Sequence, residues 1–465
     1  MTQSSFFFCG IGGSGMLPLA CILRANGARV AGSDRALDQG RTAPKFDYLR
    51  GLGIALFPQD GSGVLSADQT LVASAAVEET VPDVIAATRL GCARMSRAGL
   101  LAQLFNAAPE RIAVGGTSGK STVTGMVGWI LHEAGRAPTV MNGAVMKNFV
   151  SDAAPFASAL VGGETLFVSE VDESDGSIAL FDPTIAVLGN ISLDHMSMDE
   201  LRALFEDFVG KARTAVLNID HTEVAALAAE LHADRLLTFG FEREAQLIGH
   251  DLRETEAGVV FRLTERSSGE EAEVRLAVLG RHNAANALAA TGAALAAGVP
   301  LTQAADALGR FAGLRRRLER VGAAGGVTVY DDFGHNPDKI AATLDALHAF
   351  PGRLLVFFQP HGYGPLRVMG EELVRTFAEK LGPDDVLLLS DPVYYGGTTD
   401  RRVGSDTIVG GVAGAGCAAE HVPARPDIAR RLVELARPGD RIVVMGARDD
   451  TLSQFAEELL ALLGG

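Results

Sequence analysis

The sequence predicts an α/β protein of three domains: a Rossmann-like domain at each end and, between them, a phosphate-loop ATPase-type domain with a mixed sheet. Three observations carry this reading. Short apolar runs alternate with helical stretches along the whole chain, two glycine-rich turns each stand between such a run and a helical pattern, and polar residues gather where the apolar runs end. At 465 residues the chain is too long for one core, and ordinary domain size suggests about three.

The bulk composition narrows the function. Hydrophobic residues make up 47% and charged residues 21%, with 54 glycines, the profile of a soluble α/β enzyme. The formal charge of -16 argues against a nucleic-acid partner, because a phosphate backbone demands clustered Lys and Arg. Any anionic substrate must then be held by local donors. The four cysteines, Cys9, Cys21, Cys92 and Cys417, show no C-x-x-C spacing, so neither a zinc site nor a disulfide framework is expected. No signal-peptide pattern and no apolar run of spanning length is seen, which points to a cytoplasmic protein with no membrane partner.

In chain order, Ser5-Phe6-Phe7-Phe8-Cys9 reads as a buried strand, Gly10-Ile11-Gly12-Gly13-Ser14-Gly15 as a tight turn and 16–26 as a helix. A strand at 28–33 ends in Asp34, an acidic residue about twenty positions beyond the turn, as in a dinucleotide-binding fingerprint. Both an NAD enzyme and a nucleotide-sugar binder fit this unit. Strand-like 70–74 and helix-like 84–90 continue the alternation, and the helical run 97–106 ends at Ala107-Ala108-Pro109, where the first domain (1–108) closes.

The stretch Ile112-Ala113-Val114-Gly115-Gly116-Thr117-Ser118-Gly119-Lys120-Ser121-Thr122 then reads as strand, phosphate loop and the start of a helix over 123–134. Backbone N–H groups, the positive helix end and the Lys120 ammonium suit a polyphosphate, with the Ser121 hydroxyl placed for Mg2+. A strand at 166–171 ends in the acidic group Glu170, Asp172, Glu173 and Asp175, and another at 185–188 is followed by Asn190 and Asp194-His195. Carboxylates at strand ends beside a phosphate loop are where Mg2+ ligands belong.

The central domain (109–312) runs on through the segment Gly280-Arg281-His282-Asn283-Ala284-Ala285-Asn286 and an Ala-rich helix. The last domain (313–465) opens with Arg315-Arg316-Arg317. Its strands at 327–330, 354–358, 386–390 and 441–445 again gather polar residues at their ends, notably Asp331-Asp332-Phe333-Gly334-His335-Asn336-Pro337 and Gln359-Pro360-His361.

These segments, from the glycine turn at 10–16 to Gln359-Pro360-His361, resemble in kind and order the Mur ligase family, the ATP-dependent amide ligases of peptidoglycan assembly. The similarity is greatest to the branch of alanine-adding and murein-tripeptide ligases. The resemblance implies an N-terminal UDP-sugar domain, a central ATPase and a C-terminal domain for the amino acid. By it, Gly116, Thr117, Ser118, Gly119, Lys120, Ser121 and Thr122 hold the ATP phosphates, Ser121 and Glu170 the Mg2+, and His195 a second metal position, with Lys120, Glu170 and His195 forming the catalytic set. His282, Asn283 and Asn286 would lie on the adenine side, and Arg316, Asp332 and His335 would reach the ribose or phosphates. Gly12, Gly13, Ser14, Gly15, Met16, Asp34 and Ser74 would serve the UDP-sugar, and His361 and Arg367 the amine substrate. The implied cofactors are ATP and Mg2+, and the implied partners are small-molecule substrates of a monomer or weak homodimer.

An acyl phosphate formed from the sugar carboxylate is the implied intermediate, with closure about hinges near residues 109 and 312. A nucleotide-binding homologue without turnover is the competing reading, and an NAD oxidoreductase leaves the second phosphate loop unexplained. The chain departs from the alanine-adding pattern in four places. Ser118 stands where that branch usually has His, Asn336-Pro337-Asp338-Lys339 replaces His-Pro-Thr-Glu, Gly446-Ala447-Arg448-Asp449 replaces Gly-Ala-Gly-Asp, and Gly362-Tyr363-Gly364-Pro365-Leu366-Arg367 keeps one arginine where several are usual. Losing guanidinium forks that clamp a carboxylate is not a conservative change. Poor use of L-alanine is the expectation.

Overall fold

Runs of apolar residues form the central strands, because a parallel strand covered on both faces must be apolar on both. The computed structural model describes residues 4–75, 77–192, 196–393 and 403–465. His195 and Asp194 lie outside the described residues. In the N-terminal segment the strands Ala55–Phe57, Arg29–Ser33, Ser5–Cys9, Gln69–Ala73 and Arg94–Ser96 lie side by side in that order, all parallel. Strand order reverses beside Ser5–Cys9, so the glycine turn that follows it opens at a topological switch point.

The central sheet has ten strands among the described residues. Its strand Glu110–Gly115 lies parallel between Ile185–Leu188 and Leu166–Glu170, which brings the ends of all three to one edge. Three further strands, Leu247–Thr255, Gly258–Glu265 and Glu270–Leu276, complete its far side. The last sheet has six strands among the described residues, with Glu319–Ala324 antiparallel to Val327–Asp332 at its edge and the rest parallel. That edge strand is not evident in the sequence. Val327–Asp332 also extends through Asp331 and Asp332, whose Cα partners are Val444 and Met445, beyond the point where the apolar pattern stops.

The chain packs as two units. Met1–Leu252, Val260–Leu276 and Asn283–Gly313 form one, and Arg253–Val259, Ala277–His282 and Leu314–Gly465 form the other. Residue 109 lies inside the first unit, whose apolar core runs on both sides of it. Phe105 meets Phe167 and Phe181 edge to face at 5.8 and 5.3 Å, and Tyr48 meets Phe156 at 5.8 Å. The single tryptophan, Trp129, donates its indole N–H to the Ala307 carbonyl at 2.9 Å. In the second unit Leu279 joins the core of Leu318, Tyr330 and Ile340. Among the described residues no helix is long and apolar enough to cross a membrane.

Asp385 is the polar anchor of the second unit. Only 4% exposed, it accepts from the Leu354 and Gly382 amides at 2.7 and 2.8 Å and pairs with His348 Nε2 at 2.8 Å. Burial alone would raise its pKa, but the His348 contact and the two amides outweigh that and hold it below the usual carboxylate range. A carboxylate with a depressed folded pKa stabilises above its unfolded pKa, and that contribution is lost as pH falls through the folded value. Asp385→Ala should therefore cost about 2–4 kcal/mol at pH 7 by orphaning buried donors. Urea unfolding of variant and wild type should show the gap narrowing below about pH 4; a gap that does not change with pH would contradict this role.

Candidate active site

The phosphate loop is shaped by two glycines in the left-handed region, Gly116 at φ 123° and Gly119 at φ 84°. A Cβ on Gly119 would lie 2.6 Å from Asn286 Oδ1, so strain and space both require glycine there. Gly119 is the N-cap of the helix Lys120–Glu133, which has no side-chain cap and no acid in its first turn. A fourteen-residue helix thus presents its positive end to the loop. Asn190 pins the loop from the neighbouring strand end: its Oδ1 accepts from the Ser118 amide at 2.8 Å and its Nδ2 donates to the Ser118 carbonyl at 3.0 Å. Thr117 Oγ1 accepts from the Ser192 amide at 2.9 Å. Thr122 is partly exposed in the first turn.

Opposite stands the end of strand Leu166–Glu170. Glu170 Oε2 accepts from the Ser121 hydroxyl at 2.7 Å, and its Oε1 accepts from the Gly143 amide. A side chain at Gly143 would collide with that carboxylate. Asn142, fully buried, donates to the Ser121 carbonyl at 2.9 Å and so fixes the first turn from the same side. Lys120 Nζ meets Glu173 Oε2 at 2.5 Å, with the Glu173 side chain 5% exposed. Asp172 takes a different part: its Oδ1 accepts from the Ser174 amide and hydroxyl at 3.1 and 2.9 Å. Burial pushes the Asp172 pKa up, but Lys120, the Ser174 bonds and Arg97 outweigh it and keep the carboxylate ionised.

This donor set suits Mg2+. A hydroxyl and one carboxylate are hard oxygen ligands, and among the described residues no three His, Cys, Asp or Glu side chains group as a metal cage. Mg2+ is characteristically held by one or two protein oxygens together with substrate phosphates and water. Glu173, Asn142 and Gly143 were not singled out for these contacts by the sequence reading, since nothing local in 139–143 announces a partner for residue 121 or 170.

In the N-terminal turn Gly12 donates its amide to Asp34 Oδ2 at 2.8 Å, while Asp34 Oδ1 caps the short helix Arg35–Asp38 through the Ala36 amide at 2.8 Å. Asp34 is thus a brace of the turn. Lys45 Nζ donates to the Gly12 carbonyl at 3.0 Å. Gly13 and Ser14 lead to Gly15, the N-cap of helix Met16–Ala25, whose position lies against Arg97: a Cβ there would be 2.9 Å from Arg97 Cδ. Met16 is buried in the core, and partly buried Ser74 follows strand Gln69–Ala73. Arg97 was read from sequence only as the start of a helix; the structure sets its charge near both Gly15 and Asp172.

Within the first unit Asn286 lies over Gly119 and donates to Asn283 Oδ1 at 3.0 Å. His282 belongs to the second unit and is exposed at the start of the helix Arg281–Ala296. Asp332 is committed to the scaffold, accepting from the Leu318 amide at 2.7 Å, the Gly334 amide at 2.7 Å and Thr343 Oγ1 at 3.0 Å. Arg316, at φ 59° and buried, donates to the carbonyls of Gly446 and Asp449 at 2.6 and 3.1 Å and lies 3.5 Å from Asp331. His335 pairs through Nδ1 with the Phe333 carbonyl at 2.9 Å and meets the His361 ring edge to face at 5.1 Å. Burial lowers both pKa values, to about 3 for His335 and about 4 for His361, so both rings are neutral at pH 7. Arg367 is exposed on helix Tyr363–Lys380.

The chain matches the Mur ligase family catalytic domain over residues 6–108, the Mur ligase middle domain over 114–294 and the Mur ligase glutamate ligase domain over 316–448. It is 36% identical to a UDP-N-acetylmuramate–L-alanine ligase of Cereibacter sphaeroides, covering 98% of this chain and 96% of that one. A second such ligase, from Paracoccus denitrificans, is 35% identical over 97% of this chain and 95% of its own length. Among solved structures, the UDP-N-acetylmuramate–alanine ligase of Thermotoga maritima superposes with a TM-score of 0.82 at 24% identity, covering 98% of each chain. A murein peptide ligase of Psychrobacter arcticus gives 0.73 at 25% identity, covering 100% of this chain and 99% of that one. With three family domains in order and relatives above one-third identity over nearly its whole length, the chain belongs to the Mur ligase family of ATP-dependent amide ligases.

Proposed function

We propose that this enzyme uses ATP to convert the carboxylate of a UDP-N-acetylmuramate-like substrate into an acyl phosphate and couples it to an amino acid or peptide amine. The observation that carries the reading is the pairing of an uncapped helix end and Lys120 with Glu170 held on Ser121. A free carboxylate has no useful leaving group, so phosphoryl transfer to it must precede attack by an amine. The loop amides and the Lys120 ammonium bind and orient the phosphates and offset charge that develops on them. Ser121 and Glu170 would hold Mg2+, which supplies Lewis-acid stabilisation of phosphate charge when bound. Gly12 to Gly15, with Arg97 beside Gly15, would hold the diphosphate of the sugar nucleotide on the N-terminus of Met16–Ala25. The amine, bound by the second unit, attacks the acyl carbon and displaces phosphate. The relatives at 35–36% identity bear the names of L-alanine ligases, whereas the changed segment 362–367 favours a different amine. Phosphate release with ATP, Mg2+, UDP-N-acetylmuramate and an amino-acid panel tests the reading; release that requires neither sugar nor amine would remove it.

Lys120→Ala should lower kcat/KM by about a hundredfold or more, since the ammonium is a phosphate donor in a preorganised site. It should also destabilise the first unit by about 3 kcal/mol, because Glu173 is left as a buried unpaired charge. The double variant Lys120→Ala with Glu173→Gln should recover stability but not activity. Activity within tenfold of wild type would exclude the loop from the mechanism.

Glu170→Gln should raise the Mg2+ concentration for half-maximal activity far more than Asp172→Asn. Glu170 is the carboxylate held on Ser121, whereas Asp172 is engaged by Ser174. Metal titration of both variants checks this, and equal shifts would mean that the ligand is misassigned.

A further inference from the structure

The carboxyl ends of three neighbouring strands in the N-terminal sheet lie level, with Cys9 paired to Ser33 and Ser33 to Phe57. One buried carboxylate ties two of them together. Asp83, fully buried in the first turn of helix Pro82–Leu90, accepts from the Ser33 hydroxyl at 2.5 Å and from the Gly61 amide at 2.9 Å, in the loop after Ala55–Phe57. Glycine at 61 allows this approach, since its φ is 85° and a Cβ there would lie 3.0 Å from the Pro82 carbonyl. Ser33 in turn holds the glycine turn. Its carbonyl accepts from the Gly10 and Ile11 amides, both at 2.9 Å, and the next residue, Asp34, takes the Gly12 amide at 2.8 Å.

Helix Pro82–Leu90 follows strand Gln69–Ala73, which lies on the far side of Ser5–Cys9 from Arg29–Ser33. Asp83 therefore reaches across the point where strand order reverses, the place at which an open parallel sheet receives its ligand. An apolar side chain would fill this position at lower cost, since a buried carboxylate gives up its hydration. What the carboxylate adds is a fixed spacing between the two sides of the crevice. We infer that Asp83 is a positioning residue for the sugar nucleotide: through Ser33 it sets the glycine turn 10–15 that meets the diphosphate, without touching the substrate itself. The inference rests on the sugar-nucleotide reading of that turn given above. Removing Asp83 leaves the Ser33 hydroxyl and the Gly61 amide without their acceptor in a buried place, and any shift of residues 33 and 34 carries Gly10, Ile11 and Gly12 with it. The bonds that pin the phosphate loop run to Asn190 and Ser192 instead, so the hold on ATP should not follow.

The test uses wild type, Asp83→Ala, Asp83→Asn and Ser33→Ala. Phosphate release gives the KM for UDP-N-acetylmuramate and for ATP, and calorimetric titration with UDP-N-acetylmuramate beside a non-hydrolysable ATP analogue gives the sugar-nucleotide affinity without turnover. Asp83→Ala should weaken sugar-nucleotide KM and affinity by about tenfold, with the KM for ATP and kcat within about twofold of wild type. Asp83→Asn keeps an acceptor for Gly61 and offers the Ser33 hydroxyl an amide to accept from, so it should return both values to within about threefold of wild type. Ser33→Ala, which leaves Asp83 bonded to Gly61, should raise the sugar-nucleotide KM by about threefold, and it decides the question if Asp83→Ala does not fold. Equal rises in both KM values, or a lowered thermal midpoint with sugar-nucleotide affinity unchanged, would make Asp83 a scaffold residue and overturn the inference. Turnover with no amine would remove the ligase reading while the titration still decides the inference. A wild type that binds no sugar nucleotide would remove that reading and the inference with it.

Discussion

The Glu170 carboxylate, shared between the Ser121 hydroxyl and the Gly143 amide, is the constraint on which the phosphate site depends. It joins the end of a buried strand to the first turn of the phosphate-loop helix and to the segment after Thr139–Met141. Each neighbour reinforces that placement from another direction: Asn142 holds the Ser121 carbonyl, Asn190 holds both faces of Ser118, and Glu173 holds Lys120. A polyphosphate bound as proposed would meet donors already held in place, so little reorganisation would be required when charge moves. The requirement for glycine at 119 and 143 follows from the same crowding.

The second unit divides its polar residues between scaffold and surface chemistry. Asp332, Asp385 and Arg316 each satisfy several internal partners, and their burial makes sense only because those partners exist. His335 and His361 are arranged otherwise, their rings meeting edge to face at 5.1 Å. Motif membership alone does not separate the two groups. Asp332 and His335 lie in one short segment, yet one braces the backbone and the other lines a surface.

What was legible in the sequence had local causes. The phosphate loop, the strand before it and the helix after it follow from glycine conformation and apolar periodicity, and the acidic strand end follows from its position beside that loop. Pairings decided by tertiary packing were not legible: the Asn142 and Gly143 contacts, the choice of Glu173 rather than another acid for Lys120, the proximity of Arg97 to Gly15, and the antiparallel edge strand Glu319–Ala324. The part Asp34 plays within the turn was not legible either, its two oxygens accepting from the Gly12 and Ala36 amides.

The account turns on phosphoryl transfer to a carboxylate at the Lys120 and Glu170 site, and isotope transfer reads that step directly. UDP-N-acetylmuramate labelled with 18O in its carboxylate should yield inorganic phosphate carrying one 18O per turnover, because the acyl carbon–oxygen bond breaks when the amine displaces phosphate. Phosphate free of label alongside amide product would contradict an acyl phosphate, and with it the role assigned to this site.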